Sequence, residues 1–553
     1  MTLIDRRIGI LFVAFLGLLA VALIRASYLG AVRAGSLQRA AATQQVTEEV
    51  IPAPRGTMTD RNGVQLAISE PADDVVADPF LIKDPQVAAE KLAPLLGASF
   101  SATLAKVTRP HSGFVYLAHL LGSSQATAIN RLGIPGISLI PEVKRVYPLG
   151  FAAAQVLGSV GWGDRGLSGL EYLYNRRLVG QSGVRKIVSD AIGQPISVDE
   201  VRETRPGATL RLTIDAALQD EVEQVLAGVG ALYSPKGATA IVVNPNTGAI
   251  LALANWPRVN ANDISASPPS ALEDQAVSFN YEPGSTFKAI TVAGALQDGL
   301  ITPQTVFGIP PVLVVADRHI QDAESHGYES LSVAQILKVS SNIGADEIGA
   351  RLGPARFDYW VHRFGFGSPV NVDLPGASNE PGIVLHSWQY SGSSMGNLPF
   401  GQGESVTPMQ MIAAYSAIAN GGVLRPPHIV ASIAGKPVPI PAGQQIISPT
   451  TAAELRDMLR GVYADGGTAS GAAIPGWDMA GKTGTANIAI NGQYSNSAYV
   501  ASFIGMIPAS HPQLLATVVV NQPQGAIYGG LVAAPAFQKI VGWAVPYLGI
   551  SPK

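Results

Sequence analysis

Glu282-Pro283-Gly284-Ser285-Thr286-Phe287-Lys288 runs from a Pro-Gly turn into an apolar segment. The pattern predicts a helix over Thr286 to Leu296 whose only charged residue is Lys288. Ser285 then sits at a helix N-terminus, with Lys288 three positions on and on the same face. A lysine in a helix that is apolar all round is a core lysine, and a core lysine needs a reason. Burial weakens its hold on its proton, so it can accept one from a hydroxyl, and the helix N-terminus favours the negative charge that develops there. Alone, the spacing proves little. Ser-x-x-Lys arises by chance about twice in a chain of this size, and an N-cap serine beside a solvated lysine is its ordinary reading.

Two further short motifs follow. Ser340-Ser341-Asn342 lies between two helical patterns, Val333 to Val339 and Ile343 to Leu352. A helix cap is the plain reading, while functionally Ser340 could relay protons and Asn342 could bind a substrate amide. Lys482-Thr483-Gly484-Thr485 enters a β-like segment, where Gly484 permits close backbone approach and the flanking groups can grip an extended peptide and its carboxylate. Each motif is weak. Their order is not, because it resembles the ordered triplet of penicillin-binding proteins and active-site-serine β-lactamases.

The surrounding sequence predicts a layered domain. Leu210 to Ile214, Ala238 to Val243 and Ala249 to Ala254 read as strands, the last two joined by Asn244 to Gly248. Strands return at Ala498 to Ile507 and Leu514 to Asn521, and helices are expected at Ala216 to Ala227 and Ala534 to Tyr547. Composition agrees with a folded, non-nucleic-acid protein. Of 553 residues, 47% are hydrophobic and 14% charged, so a large core can form. With 37 basic against 40 acidic side chains there is no excess to neutralise phosphates. The absence of cysteine excludes thiolate chemistry, and no His-Glu-x-x-His is present, so neither metal nor cofactor is expected.

Ile8 to Ile24 is an unbroken apolar or glycine run behind Arg6 and Arg7. A cleaved signal peptide and an uncleaved single-span anchor compete; the run is long for a signal segment and no convincing small-x-small site follows a polar break, so it reads as the anchor, with Tyr28 at the interface. Arginines flank both ends and do not decide the orientation, and the seven-residue head places the large C-terminal part outside the cytoplasm. Beyond it, Asp60-Arg61-Asn62-Gly63 signals a hairpin, and Tyr147 to Gly150 a turn. The segment from Gly166 through Val179 is expected to be helical.

Taken together, these features resemble the class B penicillin-binding proteins along almost the whole chain. Pro54-Arg55-Gly56, Arg145-x-Tyr147-Pro148-x-Gly150 and Gly166-x-x-Gly169-x-Glu171 are similar to the family's pedestal motifs. Thr213-Ile214-Asp215 and Tyr528-Gly529-Gly530 resemble the entry and exit of its catalytic domain. The resemblance implies a cytoplasmic head (1–7), a transmembrane anchor (8–29), an α+β pedestal of dimerisation type (30–205), and an α/β transpeptidase domain (206–553) with a central antiparallel sheet flanked by helices. It implies a D,D-transpeptidase that cross-links peptidoglycan. Ser285 would be the nucleophile and Lys288 the base, with Ser340 and Lys482 in the proton-return path. Backbone N–H groups of Ser285 and Thr485 would form the oxyanion hole. Asn342 would bind the acyl-side amide, and Thr483, Gly484 and Thr485 the terminal carboxylate. β-Lactams would acylate the same serine.

Glu282 before Pro283 and the lack of a long insertion resemble the division-specific (septal) branch more than the elongation branch, which stays as the alternative. The implied setting is the inner membrane, single-pass, beside a SEDS-type glycosyltransferase and division-complex proteins. A hydrolase of β-lactamase type would need a Glu-x-x-Leu-Asn element, which is not found between Asn342 and Lys482. A β-lactam sensor or scaffold without turnover is a third reading, disfavoured by the intact triplet.

Overall fold

The computed structural model describes residues 3–33, 46–189 and 195–552. Leu3–Ser27 is one α-helix continued by a π turn, Tyr28–Val32. Twenty-five helical residues reach about 37 Å, enough for a hydrocarbon core of about 30 Å. Its large apolar side chains, Leu11, Phe12, Leu18 and Ile24 among them, are exposed, as in a helix whose solvent is lipid.

The described chain divides into two compact units. The first takes residues up to Pro54 with Pro71–Lys144 and Gly180–Pro206; the second takes Arg55–Glu70, Arg145–Val179 and Gly207 onward. In the first unit, Val46–Ile51, Gly183–Ser189 and Pro195–Arg202 form a three-stranded antiparallel sheet with Gly183–Ser189 in the middle. Helices Pro85–Leu96 and Phe100–Val107 start on the side-chain caps Asp84 and Ser99. Their apolar faces, including Ala89, Leu92 and Val107, close a small core with Val75, Leu117 and Ile129.

The second unit is built on a five-stranded antiparallel sheet. Its members are β1 (Gly237–Val243), β2 (Ile250–Trp256), β3 (Ala480–Ile490), β4 (Gln493–Ile507) and β5 (Leu514–Asn521), in the order β2-β1-β5-β4-β3. β1 is buried along its whole length, which is why Ala-Ile-Val-Val runs on without polar alternation. Its even positions, Ala238, Ala240 and Val242, face helices α1 (Ala216–Tyr233) and α7 (Gly529–Tyr547). Ile241 and Val243 face a larger helical core. That core holds α2 (Lys288–Gln297), α3 (Val333–Val339), α4 (Asn342–Leu352), α5 (Pro408–Ala419) and α6 (Pro449–Arg460).

Three expectations need correction. The first turn of the predicted Thr286–Leu296 helix is a 3₁₀ turn, Gly284–Phe287, before α2 begins at Lys288. The predicted Gly166–Val179 helix is two short ones, Gly169–Leu173 and Asn175–Leu178, separated at Tyr174. The final helix starts five residues before the expected Ala534, at Gly529. Gly529, Gly530 and Pro535 are poor helix formers, so local propensity hides that turn, and only packing explains it. The Asn62-Gly63 hairpin is present: Gly63 has φ 93°, and Asp60 Oδ1 accepts from the Asn62 and Val64 amides.

Candidate active site

Ser285 is the half-buried second residue of the Gly284–Phe287 turn. The Tyr415 hydroxyl, from α5, donates to the Thr286 carbonyl at 2.6 Å, and Gly284 N–H donates to the Gly401 carbonyl at 2.9 Å. These bonds fix the turn to α5 and to the Gly401 loop, and the turn packs on β3. Gly484 makes the contact possible, because a Cβ there would lie 2.3 Å from Ser502 Oγ and 3.0 Å from the Thr286 methyl.

Lys288, the first residue of α2, is completely buried. Its Nζ donates to the Ser340 carbonyl (2.5 Å), to Asn342 Oδ1 (2.7 Å) and to Ser340 Oγ (3.2 Å). Lys482 on β3 is equally buried, and its Nζ donates to the same Ser340 Oγ at 2.8 Å. One hydroxyl therefore lies between two amines. Ser340 can present both its carbonyl and its hydroxyl because it closes α3 in the left-handed conformation, φ 64°. Ser341 then caps α4, accepting from Gly344 N–H at 2.9 Å.

Burial pushes the Lys288 amine down to about 7, against the opposing pull of Asp322 and Asp346. Burial, with the neighbouring Lys288, also drives Lys482 well below the usual lysine range. At neutral pH about half of the Lys288 amine is therefore deprotonated, and that form keeps two of the three hydrogen bonds and has a lone pair free, which is what a general base requires.

The structure brings Lys288, Ser340, Asn342 and Lys482 into one hydrogen-bonded cluster. Thr483 and Thr485 project from the other face of β3, as strand alternation demands. The Thr483 hydroxyl pairs with Thr468 Oγ1 at 2.7 Å, and Thr485 Oγ1 accepts from Gly529 N–H at 3.0 Å. The pedestal-motif residues form a separate cluster within the second unit. Glu171, fully buried, accepts from Arg55 Nε and, at 2.7 Å, from Arg145 Nε. Gly150 and Gly169 have positive φ, 59° and 57°, while Gly56 and Gly166 leave no room for a Cβ against the Ala208 and Glu171 carbonyls.

Several site residues were missed. Asp322 orients the Ser-Ser-Asn turn: its Oδ1 accepts from the Asn342 and Ile343 amides, and its Oδ2 from the Ser341 hydroxyl at 2.7 Å. A cavity of about 300 Å³ opens beside Asn342, lined by Arg318, Gln321, Asn397, Gln402 and Tyr494. Tyr494 donates to Glu282 Oε1 at 3.2 Å, and the buried Glu404 carboxyl is held far above its ordinary range by burial and by Glu282. Apart from Glu282, these residues lie outside the three motifs, so their spacing could not have flagged them.

Comparison with known proteins follows the same lines. Residues 238–542 match the penicillin binding protein transpeptidase domain, and residues 50–212 the penicillin-binding protein dimerisation domain. The chain is 31% identical to the peptidoglycan D,D-transpeptidase FtsI of Escherichia coli, covering 99% of this chain and 93% of that one. It is 33% identical to stage V sporulation protein D of Bacillus subtilis, over 90% and 79%. Among solved structures it is similar to penicillin binding protein 3 of Mycobacterium tuberculosis, crystallised with aztreonam, at 29% identity and a TM-score of 0.72 over 91% and 98%.

Proposed function

The chain belongs to the class B penicillin-binding proteins, serine-type peptidoglycan D,D-transpeptidases, and from that premise we propose that Ser285 is its acylated nucleophile in septal wall synthesis. The observation that carries the reading is the Ser340 hydroxyl lying 3.2 Å from Lys288 Nζ and 2.8 Å from Lys482 Nζ, both fully buried.

Neutral Lys288 takes the Ser285 hydroxyl proton as Oγ attacks the carbonyl of the penultimate D-Ala of a stem peptide. The oxyanion is held by the backbone N–H groups of Ser285 and Thr485, a donor pair of the kind that contributes about 3–4 kcal/mol per donor elsewhere. As the C–N bond breaks, the proton passes through Ser340 and Lys482 to the leaving D-Ala amine. The amine of a neighbouring stem peptide then attacks the acyl-enzyme, its proton returns to Ser285 Oγ, and the cross-link forms. Asn342 binds the acyl-side amide, and the β3 edge at Thr483, Gly484 and Thr485 takes the terminal carboxylate, for which the two threonine hydroxyls exchange their bonds to Thr468 and Gly529 for the ligand. β-Lactams acylate Ser285 by the first half of this sequence.

Glu282 ahead of Pro283-Gly284-Ser285 and the similarity to FtsI support the septal role. The apolar helix anchors the chain in the cytoplasmic membrane with the catalytic unit outside, where the wall is built, beside a SEDS-type polymerase and division proteins. Replacing Ser285 by Ala is expected to abolish labelling by a fluorescent penicillin in a folded protein. Persistent labelling would move the nucleophile elsewhere. A fluorescent fusion is expected to form a band at mid-cell, and dispersed side-wall foci would assign elongation instead.

A further inference from the structure

Helix α4 carries a second acidic group that the reaction above does not use. Asp346 lies one helical turn beyond Asn342, on the same face, and is 2% exposed. Neither of its carboxylate oxygens has a hydrogen-bond partner in the protein. A buried carboxyl with no partner costs free energy, so its retention asks for a compensating role. α4 packs against α2, which Lys288 opens, and Lys288 is the first charge that acts on the carboxyl.

We propose that Asp346 is a positioning residue for the acylation base, its carboxyl acting on the Lys288 amine to set how many protons that amine holds. The proposal rests on the assignment of Lys288 as base and deepens it. With one dissociable proton between them, that proton sits either on the carboxyl, leaving a neutral amine, or on the amine, facing a carboxylate. Neither form buries net charge, but only the first leaves the base ready, so removing the carboxyl removes the competing form. Burial drives both groups the same way, with Lys288 lowered to about 7 and Asp346 raised to about 8. The two therefore titrate as a pair. When the carboxyl ionises, it strengthens the hold of Lys288 on its own proton, so the acid limb of acylation extends to higher pH.

Few other charges face this pair. Asp322, from the loop that caps α4, pulls Lys288 upward and repels ionisation of Asp346, as does Glu347 on α4. Asp322 is itself paired with His326 at 3.2 Å. Lys482 faces Lys288 from β3. Ser394–Phe400 and Val306–Ile309, which pack on α4, bring no ionisable side chain. Helix Pro354–Arg363 pairs Arg356 with Asp298 and His362 with Asp358, while its Arg363 donates to the Gln445 carbonyl. Arg351 on α4 lies over the Phe307 ring, and the amine of Lys338 on α3 lies near Gly466. α6, which packs on α2, brings Glu454, Arg456, Asp457 and Arg460; Arg456 donates to the Ala509 and Ile418 carbonyls, and Arg460 pairs with Asp457 and Asp478.

The test is the pH dependence of acylation by a fluorescent penicillin, measured on the full chain in detergent micelles for the wild type, Asp346→Asn and Asp346→Ser. Both variants are expected to move the midpoint of the acid limb down by about half a pH unit or more, and to narrow it to a single-proton curve. Two replacements guard against one that folds poorly, and thermal melts identify it. A structural role alone would lower the melting temperature and leave the midpoint in place. An unmoved midpoint in a folded variant overturns the proposal. Ser285→Ala run alongside separates the two readings: if it still acylates, the nucleophile is wrong, whereas if it is silent and the midpoint is unmoved, only the role of Asp346 falls.

Discussion

Replacing Lys288 by Met is expected to destroy acylation and yet to stabilise the fold in acid. The amine is held at about 7 in the folded chain, because burial disfavours its charge. In the unfolded chain it titrates near ~10.4, so the difference corresponds to about 4–5 kcal/mol as an upper bound. The sign follows from proton binding. Between pH 7 and ~10.4 the unfolded state holds more protons than the folded one, so the lysine's contribution to stability rises with pH across that window. Below pH 7 the penalty is fully present, and above ~10.4 it is gone. Met removes that penalty but leaves the Ser340 carbonyl, Ser340 Oγ and Asn342 Oδ1 without their donor, at about 1 kcal/mol each. The net expectation is a variant about 1–2 kcal/mol more stable at pH 6 and about 2 kcal/mol less stable at pH 10. Differential calorimetry of both proteins at matched pH values reads the crossover directly. A stability difference that stays constant from pH 6 to pH 10 would refute the claim that Lys288 is buried with a displaced proton affinity.

Two further outcomes follow from packing. Ala at Gly529 puts a Cβ 2.3 Å from the Gly484 and Ser502 carbonyls, so it should displace β3, cost about 1–3 kcal/mol and slow acylation; unchanged urea denaturation and acylation would contradict that. Glu171→Ala leaves Arg55 and Arg145 buried and unpaired, with an expected loss of about 3–5 kcal/mol, and a loss below about 1 kcal/mol would mean that the cluster is hydrated.

How much of this could be read from residues alone varies with the range of the forces involved. Ser-x-x-Lys and Ser-Ser-Asn were legible because a cap, a turn and a helical face are set within a few residues. The hairpin at Asn62-Gly63 and the β1–β2 turn were legible for the same reason. The 3₁₀ start of α2 was not, because it depends on the Tyr415 hydroxyl reaching the Thr286 carbonyl from 129 positions away. The first turn of α7 was hidden by glycines whose value is the space they leave for β3 and β4. Asp322, Asp346 and Glu404 left no local signal at all. They matter through burial and through charges brought near by folding, and neither is written in spacing.

The central claim is that one serine among several is made nucleophilic by a buried amine. The Ser340 hydroxyl is hydrogen-bonded to both lysines, and so it is the natural rival. Peptide mapping of the β-lactam adduct by mass spectrometry decides between them. The account predicts the added mass on the peptide that carries Ser285, with Ser340 unmodified. An adduct on Ser340, or on a peptide containing neither serine, would contradict it.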